Sequence, residues 1–276
     1  MDLIVFDLDG TLLNASSQIS PYTAETLTRL SQRGIAYTVA TGRALHASRG
    51  LLDGHRFRLS QAYKNGVLIW DPGLGDYSHH NFLTLSEIQH VVEAMLHEQV
   101  TPFLFTLESG NQHRVYHPPL GDEVAERLAE NFDSRPGVDV FPVAQLPPDA
   151  EITNASALGA VRSIEAVQQL IGDEPGLVAY SGTAQEDAGL NWIDIHHVDA
   201  TKGTAVEVFK DELGASRVVC FGDSHNDLSM FAAADECYAP SNAKPEVLAA
   251  ATAVIGHHDE DGIARFLRER FELGEA

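Results

Sequence analysis

Basic residues and long apolar runs are scarce in this sequence, and each shortage excludes a class of partner. The 276 residues include 18 Lys and Arg against 40 Asp and Glu, a formal net charge of −22. A surface this acidic repels phosphodiester backbones and anionic lipid, so neither nucleic acid nor a membrane is an expected partner. No apolar run approaches the roughly 20 residues of a membrane-spanning helix. The same surface repels a phosphorylated metabolite at long range, so any site that binds an anion must supply local positive charge.

Cysteine is equally scarce. Cys220 and Cys237 are the two cysteines of the chain, and their separation does not fit the spacing of metal ligands, so both are expected in the core. The N-terminus has neither the basic region nor the cleavage site of a signal peptide, because an apolar strand pattern begins at Leu3. These features predict a reducing, cytoplasmic setting.

The length of the chain and a change of pattern along it predict two domains. Strand, helix and strand units typical of a parallel sheet occupy both ends, and an α+β pattern lies between them. We predict a discontinuous core domain over residues 1–81 and 191–276, with an inserted domain over residues 82–190. Residues 71–81, rich in Gly, Pro, Asp and His, are predicted to be a linker.

Two local patterns predict where helices begin. Ser20-Pro21 combines a capping hydroxyl with proline at the first helical position, and Thr84 with Glu87 has the spacing of a capping box.

Two aspartates follow the first apolar strand. Residues 3–6 are typical of a buried parallel strand, and Asp7 and Asp9 come directly after it. Because side chains alternate along a strand, both carboxylates leave on the same side. At about 4 Å and an effective dielectric of about 20, they repel each other by roughly 4 kcal/mol. A positive group must therefore lie near them, or one of them must carry a proton.

Polar residues also follow two later strands, predicted over residues 35–40 and 217–221. The polar residues are Thr41, Arg43, Asp223, Asn226 and Asp227, and the glycines Gly42 and Gly222 lie among them. Open α/β sheets bind ligands at the carboxyl ends of their strands, so distant loops converge on one crevice. Three carboxylates in that crevice, those of Asp7, Asp9 and Asp223, suit a hard cation such as Mg²⁺.

Taken in order, these motifs resemble those of the haloacid dehalogenase (HAD) superfamily. The matching segments are residues 7–11 (DLDGT), 41–43 (TGR), 202–203 (KG) and 222–227 (GDSHND). The insert lies between the second and third motifs and, with the Asn65-Gly66 segment before it, resembles the C2B cap of the Cof-like branch, subfamily IIB. The resemblance implies a Rossmann-like α/β core of parallel strands with an inserted α+β cap domain.

The resemblance also implies a role for each motif residue. Asp7 would attack phosphorus and form an aspartyl-phosphate, and Asp9 would serve as acid and then base. Thr41 and Lys202 would stabilise the charge of the phosphoryl group. The predicted substrate-binding residues are Thr41, Gly42, Arg43, Asn65, Lys202 and Asn226. The predicted Mg²⁺ ligands are Asp7, Asp9 through its backbone carbonyl, Asp223, and Asp227 through a water molecule.

Some residues have two open interpretations. Arg43 either contacts substrate or forms a structural ion pair, and residues 64–66 either face the leaving group or form a plain turn. The histidine pairs at 79–80, 196–197 and 257–258 lack a framing carboxylate or cysteine pattern, so we expect solvent-exposed loop residues at these positions.

The carboxylic acid of Asp9 restricts the class of reaction that the resemblance implies. Within the superfamily the dehalogenases lack an acid there and the transport ATPases carry threonine. We therefore predict a Mg²⁺-dependent phosphatase, a phosphoric monoester hydrolase, acting on small phosphorylated metabolites and on sugar phosphates in particular. The alternatives are a phosphomutase of the same branch and a catalytically idle scaffold that binds a ligand or protein. The sequence indicates neither the natural substrate nor the oligomeric state.

Overall fold

The computed structural model of the chain describes residues 1–172, 174–184 and 187–274. Its strands are β1 (Asp2–Phe6), β2 (Ala36–Val39), β3 (Gln61–Tyr63), β4 (Leu68–Asp71), β5 (Asp76–His80), β6 (Phe103–Glu108), β7 (Gln112–His117), β8 (Val138–Pro142), β9 (Ile152–Ala160), β10 (Leu177–Thr183), β11 (Leu190–His197), β12 (Arg217–Phe221), β13 (Glu236–Pro240) and β14 (Ala253–Ile255). Its α-helices are α1 (Pro21–Gln32), α2 (Leu45–Leu52), α3 (Leu85–His97), α4 (Glu123–Asp133), α5 (Val161–Gly172), α6 (Lys202–Leu213), α7 (Leu228–Ala233), α8 (Pro245–Ala250) and α9 (Gly262–Arg270). The strands and helices form two compact units. The first unit contains Met1–His80 and the chain from Thr201 onward, and the second unit is Asn81–Ala200. Within the described ranges, no helix is both long and apolar enough to cross a bilayer.

A five-stranded parallel sheet of order β14-β13-β12-β1-β2 is the centre of the first unit. The central strand β1 is completely buried from Leu3 to Phe6. A strand that is covered on both faces has a continuous apolar sequence, which is why β1 is predicted correctly from the sequence. Cys220 and Cys237 lie buried in register on neighbouring strands, as predicted for core residues. The sheet and its helices confirm the predicted Rossmann-like core.

Capping residues define where the helices of this unit begin. The hydroxyl of Ser20 accepts a hydrogen bond from the backbone N–H of Thr23 at 3.0 Å, and Pro21 occupies the first position of α1. Thr201 caps α6 in the same way, through the N–H of Thr204 at 3.1 Å. Lys202 therefore lies in the first turn of α6, where the helix dipole does not favour a cation.

Residues 71–81 are not the linker that the sequence predicts. They contain β5, which pairs antiparallel with β4 in a three-stranded sheet of order β3-β4-β5. The carboxylate of Asp71 closes the turn between these strands by accepting the N–H of Gly73 at 2.7 Å. The turn-forming composition thus belongs to a hairpin loop, whose pairing is not evident from composition.

A mixed six-stranded sheet of order β10-β11-β9-β6-β7-β8 is the centre of the second unit. The pair β7 and β8 is parallel, and the other pairs are antiparallel. Helix α3 begins with the predicted capping box, in which Glu87 accepts the backbone N–H of Thr84 at 2.7 Å. Apolar residues of α3 and α5 pack together with this sheet. The unit has the α+β architecture predicted for the cap.

The end of the second unit differs from the predicted boundary. The prediction ends the insert at residue 190, whereas β11 continues to His197 and pairs with β9 and β10. Residues 191–200 therefore belong to the second unit, because a strand stays with the strands to which it hydrogen-bonds.

The histidine pairs do not share one environment. His79 and His80 are exposed, as predicted, but they lie on strand β5 and not in a loop. The prediction is wrong for His196, which is completely buried on β11 with its Nε2 3.2 Å from Asp194 Oδ2. His258 is half-buried, and its Nδ1 lies 2.7 Å from the carbonyl oxygen of Leu13. A neighbouring carboxylate or carbonyl supplied by the fold makes these burials possible.

Candidate active site

Three loops meet at the carboxyl edge of the parallel sheet. Asp7 follows β1 directly, Thr41 lies two residues beyond β2, and Asp223 lies two residues beyond β12. Since β1 lies between β2 and β12, these loops are neighbours although they are far apart in sequence. The edge is the one at which open α/β sheets bind ligands.

Lys202 connects two buried carboxylates at this edge. Its Nζ donates hydrogen bonds to Asp7 Oδ1 at 2.5 Å and to Asp227 Oδ1 at 2.6 Å. Lys202 and Asp227 are completely buried, and Asp7 is 5% exposed. Burial alone would lower the pKa of Lys202, but the two carboxylates outweigh it and raise that pKa above its ordinary value. Lys202 is therefore a fixed positive charge beside the predicted nucleophile.

Asp227 organises the loop that follows β12. Its Oδ1 accepts from Lys202, while its Oδ2 accepts the backbone N–H groups of Asp223 and Ser224, each at 2.8 Å. A Cβ atom on Gly222 would lie 2.5 Å from the Cβ of Asp227, so glycine is needed for this close approach. Asp227 thus orients both Lys202 and Asp223.

The residues at the edge fit a divalent cation. Asp7, Asp223 and Asp227 bring carboxylate oxygens within 4.8 Å of one another. Burial, reinforced by the charge of Asp227, raises the pKa of Asp223 to about 6. Burial also raises the pKa of Asp7; Lys202 opposes this, and the charges of Asp227 and Asp223 add to it. The three carboxylates, balanced by the single ammonium of Lys202, leave two negative charges uncompensated. Carboxylate oxygens are also the ligands that hard divalent cations prefer.

Arg43 holds the carboxylate of Asp9. The guanidinium donates through Nε to Asp9 Oδ2 at 2.6 Å and through Nη2 to Oδ1 at 2.5 Å. Of the two interpretations left open by the sequence, the structure displays the ion pair. The predicted contact of Arg43 with substrate stays a prediction.

The remaining predicted residues lie beside this pair. The buried hydroxyl of Thr41 accepts the backbone N–H of Arg43 at 3.1 Å, and its own O–H can donate to a phosphoryl oxygen. The side chain of Asn65 accepts from Asn226 Nδ2 at 2.8 Å, and a Cβ on Gly42 would lie 3.2 Å from Asn65 Oδ1. The structure thus brings Thr41, Gly42, Asn65 and Asn226 together, and their binding of substrate stays a prediction.

Two supporting residues have no predicted role, although one of them, Thr11, lies in the motif of residues 7–11. Thr11 Oγ1 donates to Asp223 Oδ1 at 3.3 Å. Asn242 donates through Nδ2 to the carbonyl oxygen of Gly10 at 2.8 Å, and its Oδ1 accepts the N–H of His258 at 3.1 Å. Asn242 follows β13, the next strand of the sheet, so recognition of β13 as a parallel strand would have pointed to it.

Comparison with known sequences agrees with this geometry. The sequence model of the haloacid dehalogenase-like hydrolases matches residues 4–267. Phosphatase YwpJ from Bacillus subtilis (strain 168) is 26% identical over 97% of this chain and 99% of its own length. Pyridoxal phosphate phosphatase YbhA from Escherichia coli (strain K12) is 25% identical over 96% of this chain and 97% of its own length.

Solved structures share the fold over almost the whole chain. BT1666 from Bacteroides thetaiotaomicron, a phosphatase of the HAD superfamily, has a TM-score of 0.80 at 20% identity, covering 99% of this chain and 96% of that one. The HAD subclass IIB sugar phosphatase BT4131 has a TM-score of 0.78 at 19% identity, covering 99% and 100%. At these identities the likeness shows the fold, a parallel-sheet core with an inserted α+β cap.

Proposed function

The chain belongs to the haloacid dehalogenase-like hydrolases, and on this premise we propose that it hydrolyses small phosphorylated metabolites with Mg²⁺ through an aspartyl-phosphate. The contact of 2.5 Å between Lys202 and Asp7 carries the proposal. It places a fixed positive charge beside a carboxylate at the ligand-binding edge of the sheet. A negatively charged phosphoryl group can thus approach a protein whose net charge is −22, since nearby charge outweighs screened distant charge.

The predicted Cof-like family and the predicted enzyme class, a phosphoric monoester hydrolase, are confirmed by the family match and by relatives named as phosphatases. The substrates in the names of relatives support the proposed substrate class. One relative is named for pyridoxal phosphate. Another, YwtE from Bacillus subtilis (strain 168), is named for 5-amino-6-(5-phospho-D-ribitylamino)uracil. Both compounds are small phosphate esters, and sugar phosphates belong to the same chemical class.

The proposed reaction divides the work between two aspartates. The Asp7 carboxylate attacks phosphorus, so that one P–O bond forms to Asp7 while the ester P–O bond breaks. Asp9 gives a proton to the departing alcohol and later takes one from the water that hydrolyses the acyl phosphate. Thr41 and Lys202 donate hydrogen bonds to the phosphoryl oxygens, whose charge is greatest in the transition state.

Asp7 and Asp223 would hold the Mg²⁺ ion, together with the predicted carbonyl of Asp9. When bound, the ion neutralises charge on the phosphoryl group. Because both oxygens of Asp227 already accept hydrogen bonds from Lys202 and the loop, we infer that Asp227 orients the ligands.

Replacement of the nucleophile tests the proposal. With p-nitrophenyl phosphate and Mg²⁺, the wild type should release inorganic phosphate without a bisphosphate activator, which a phosphomutase would need. Asp7→Asn should lose turnover while its circular dichroism and unfolding temperature stay close to those of the wild type. Asp53→Asn, an exposed aspartate of the same unit, is the matched control.

A folded, active Asp7→Asn protein would contradict the nucleophilic role. If the wild type shows no Mg²⁺-dependent hydrolysis over a panel of phosphorylated metabolites, the chain is instead the idle binding scaffold.

A further inference from the structure

The Asp9 carboxylate, to which the proposed function assigns the acid and base role, is ordered by one arginine. The Nε and Nη2 atoms of Arg43 donate to different oxygens of Asp9, at 2.6 and 2.5 Å. A guanidinium bound to both oxygens fixes the plane of a carboxylate as well as its distance. Since 54% of the Asp9 side chain is exposed, packing alone does not set this orientation.

The backbone of Arg43 is itself anchored at the active-site edge. Its N–H donates to Thr41 Oγ1 at 3.1 Å, and its carbonyl oxygen accepts the N–H of Lys64 at 2.9 Å. The N–H of Asn65 donates to the carbonyl oxygen of Thr41 at 2.9 Å. Lys64 and Asn65 have φ values of 48° and 58°, an uncommon left-handed pair that surrounding contacts must hold in place. The loop after β2 is thus a fixed platform for the guanidinium.

We propose that Arg43 is a positioning residue that aims the Asp9 carboxylate at the leaving-group oxygen. The inference rests on the proposed function. In the acid step, the oxygen of Asp9 that carries the proton leaves Arg43 and donates to the leaving-group oxygen. The other oxygen carries no proton, still accepts from Arg43 and holds the orientation. Arg43 then acts on the reaction through Asp9, whereas an arginine that grips the phosphoryl group would act without it.

The two roles differ in how they depend on the leaving group. An alkyl phosphate releases a strongly basic alkoxide, so its departure needs the proton from Asp9. A 2,4-dinitrophenyl phosphate releases a stable phenolate that needs none. Because general acid catalysis contributes about 10²–10⁴-fold, Arg43→Gln should lower kcat/KM for an alkyl phosphate at least about tenfold more than for the dinitrophenyl ester. The ratio kcat/KM reports the steps up to alcohol departure, so the later role of Asp9 as base does not enter.

A double-variant cycle identifies the partner through which Arg43 acts. If Arg43 works through Asp9, Asp9→Asn combined with Arg43→Gln should be no slower on the alkyl phosphate than Asp9→Asn alone. Arg43→Lys should recover part of the alkyl-ester activity, since an ammonium can donate to one oxygen without reproducing the fork. Arg58→Gln, an exposed arginine of the same unit, should match the wild type on both esters.

Two results would overturn the positioning role: equal losses on both esters, or losses from Asp9→Asn and Arg43→Gln that multiply in the double variant. The unfolding temperature of each variant, measured in parallel, shows whether a loss comes from misfolding, and Arg43→Lys provides the second substitution if Arg43→Gln does not fold. Wild-type hydrolysis of the dinitrophenyl ester separates the two proposals. Its absence refutes the proposed function, whereas wild-type activity with equal losses refutes only the role of Arg43.

Discussion

Lys202 and Asp227 form an ion pair that is completely buried, with Nζ 2.6 Å from Oδ1. The pair joins the first turn of α6 to the short 3₁₀ turn His225–Asp227 that follows β12. Because water is excluded, loss of one partner would leave an uncompensated buried charge. The same contact that fixes Lys202 beside Asp7 therefore also stabilises the first unit.

Removal of the Lys202 charge should cost both activity and stability. In Lys202→Met, Asp7 and Asp227 lose their common positive partner, so the free energy of unfolding should fall by about 3–5 kcal/mol, with phosphatase activity lost. Urea denaturation at pH 7 measures the free energy of unfolding, and release of inorganic phosphate measures the activity. Lys210→Met, in the last turn of the same helix, should cost less than about 1 kcal/mol. A similar small cost for Lys202→Met would show that the pair is not important for stability.

Mg²⁺ should stabilise the folded protein through Asp223. At a concentration 100 times its dissociation constant, a ligand that binds only the folded state adds about 2.7 kcal/mol to the free energy of unfolding. Mg²⁺ should therefore raise the unfolding temperature, and EDTA should reverse the increase. Asp223→Asn should lose most of this increase, and Asp211→Asn, an exposed aspartate, should keep it. An undiminished increase in Asp223→Asn would exclude that carboxylate as a ligand.

Gly66 is required where the turn of residues 64–66 packs against Thr201, the residue that precedes the first turn of α6. Its φ is +100°, and a Cβ there would lie 2.3 Å from the carbonyl oxygen of Thr201. Gly34 is the matched control, because its φ is +70° but a Cβ would meet nothing within 4 Å. Gly34→Ala should cost about 1–2 kcal/mol for the backbone conformation alone. Gly66→Ala should cost about 1–3 kcal/mol more, for the clash, and should lower kcat. Equal losses of unfolding free energy in urea would contradict the clash.

Glu236 should make the stability of the first unit depend on pH. It accepts hydrogen bonds from Arg270 Nη1 and Nη2 at 2.8 and 2.9 Å and from the Tyr238 hydroxyl at 2.5 Å. The hydrogen bond from Arg270, then that from Tyr238, lowers the pKa of Glu236 from 4.5 to about 2. Since the folded-state pKa is the lower one, the stabilisation is complete above 4.5 and is lost as the pH falls toward 2.

The variant Glu236→Gln isolates this contribution. At pH 7 it should be less stable than the wild type by about 2 kcal/mol, the order of a hydrogen bond to a charged group. The difference should shrink as the pH falls through the acid range, as measured by urea denaturation at a series of pH values. Glu130→Gln, an exposed glutamate, should show no such trend. A difference between Glu236→Gln and wild type that stays constant down to the lowest pH would contradict the assigned pKa.

The strands and helix starts that depend on interactions among neighbouring residues were predicted correctly. The apolar run of β1 is continuous because that strand is buried on both faces. The helix starts at Ser20 and Thr84 follow from side chains that accept nearby backbone N–H groups. The strands β5, β13 and β14 were missed. Strand β5 follows its partner β4 directly, but its residues DYSHH have no apolar alternation, and β13 mixes polar with apolar residues. Strand β14 has three residues, too few for a periodicity to be recognised.

The local pattern was enough to determine the family of the chain, its parallel-sheet core and the set of polar residues at one edge of that sheet. The tertiary structure decided which of these residues contact one another. It paired Arg43 with Asp9 and assigned Lys202 to both Asp7 and Asp227. Both results depend on side chains that meet only after loops separated by tens to hundreds of residues are brought together. The type of a residue determines its chemistry, but the packing of the whole sheet determines which residue it contacts.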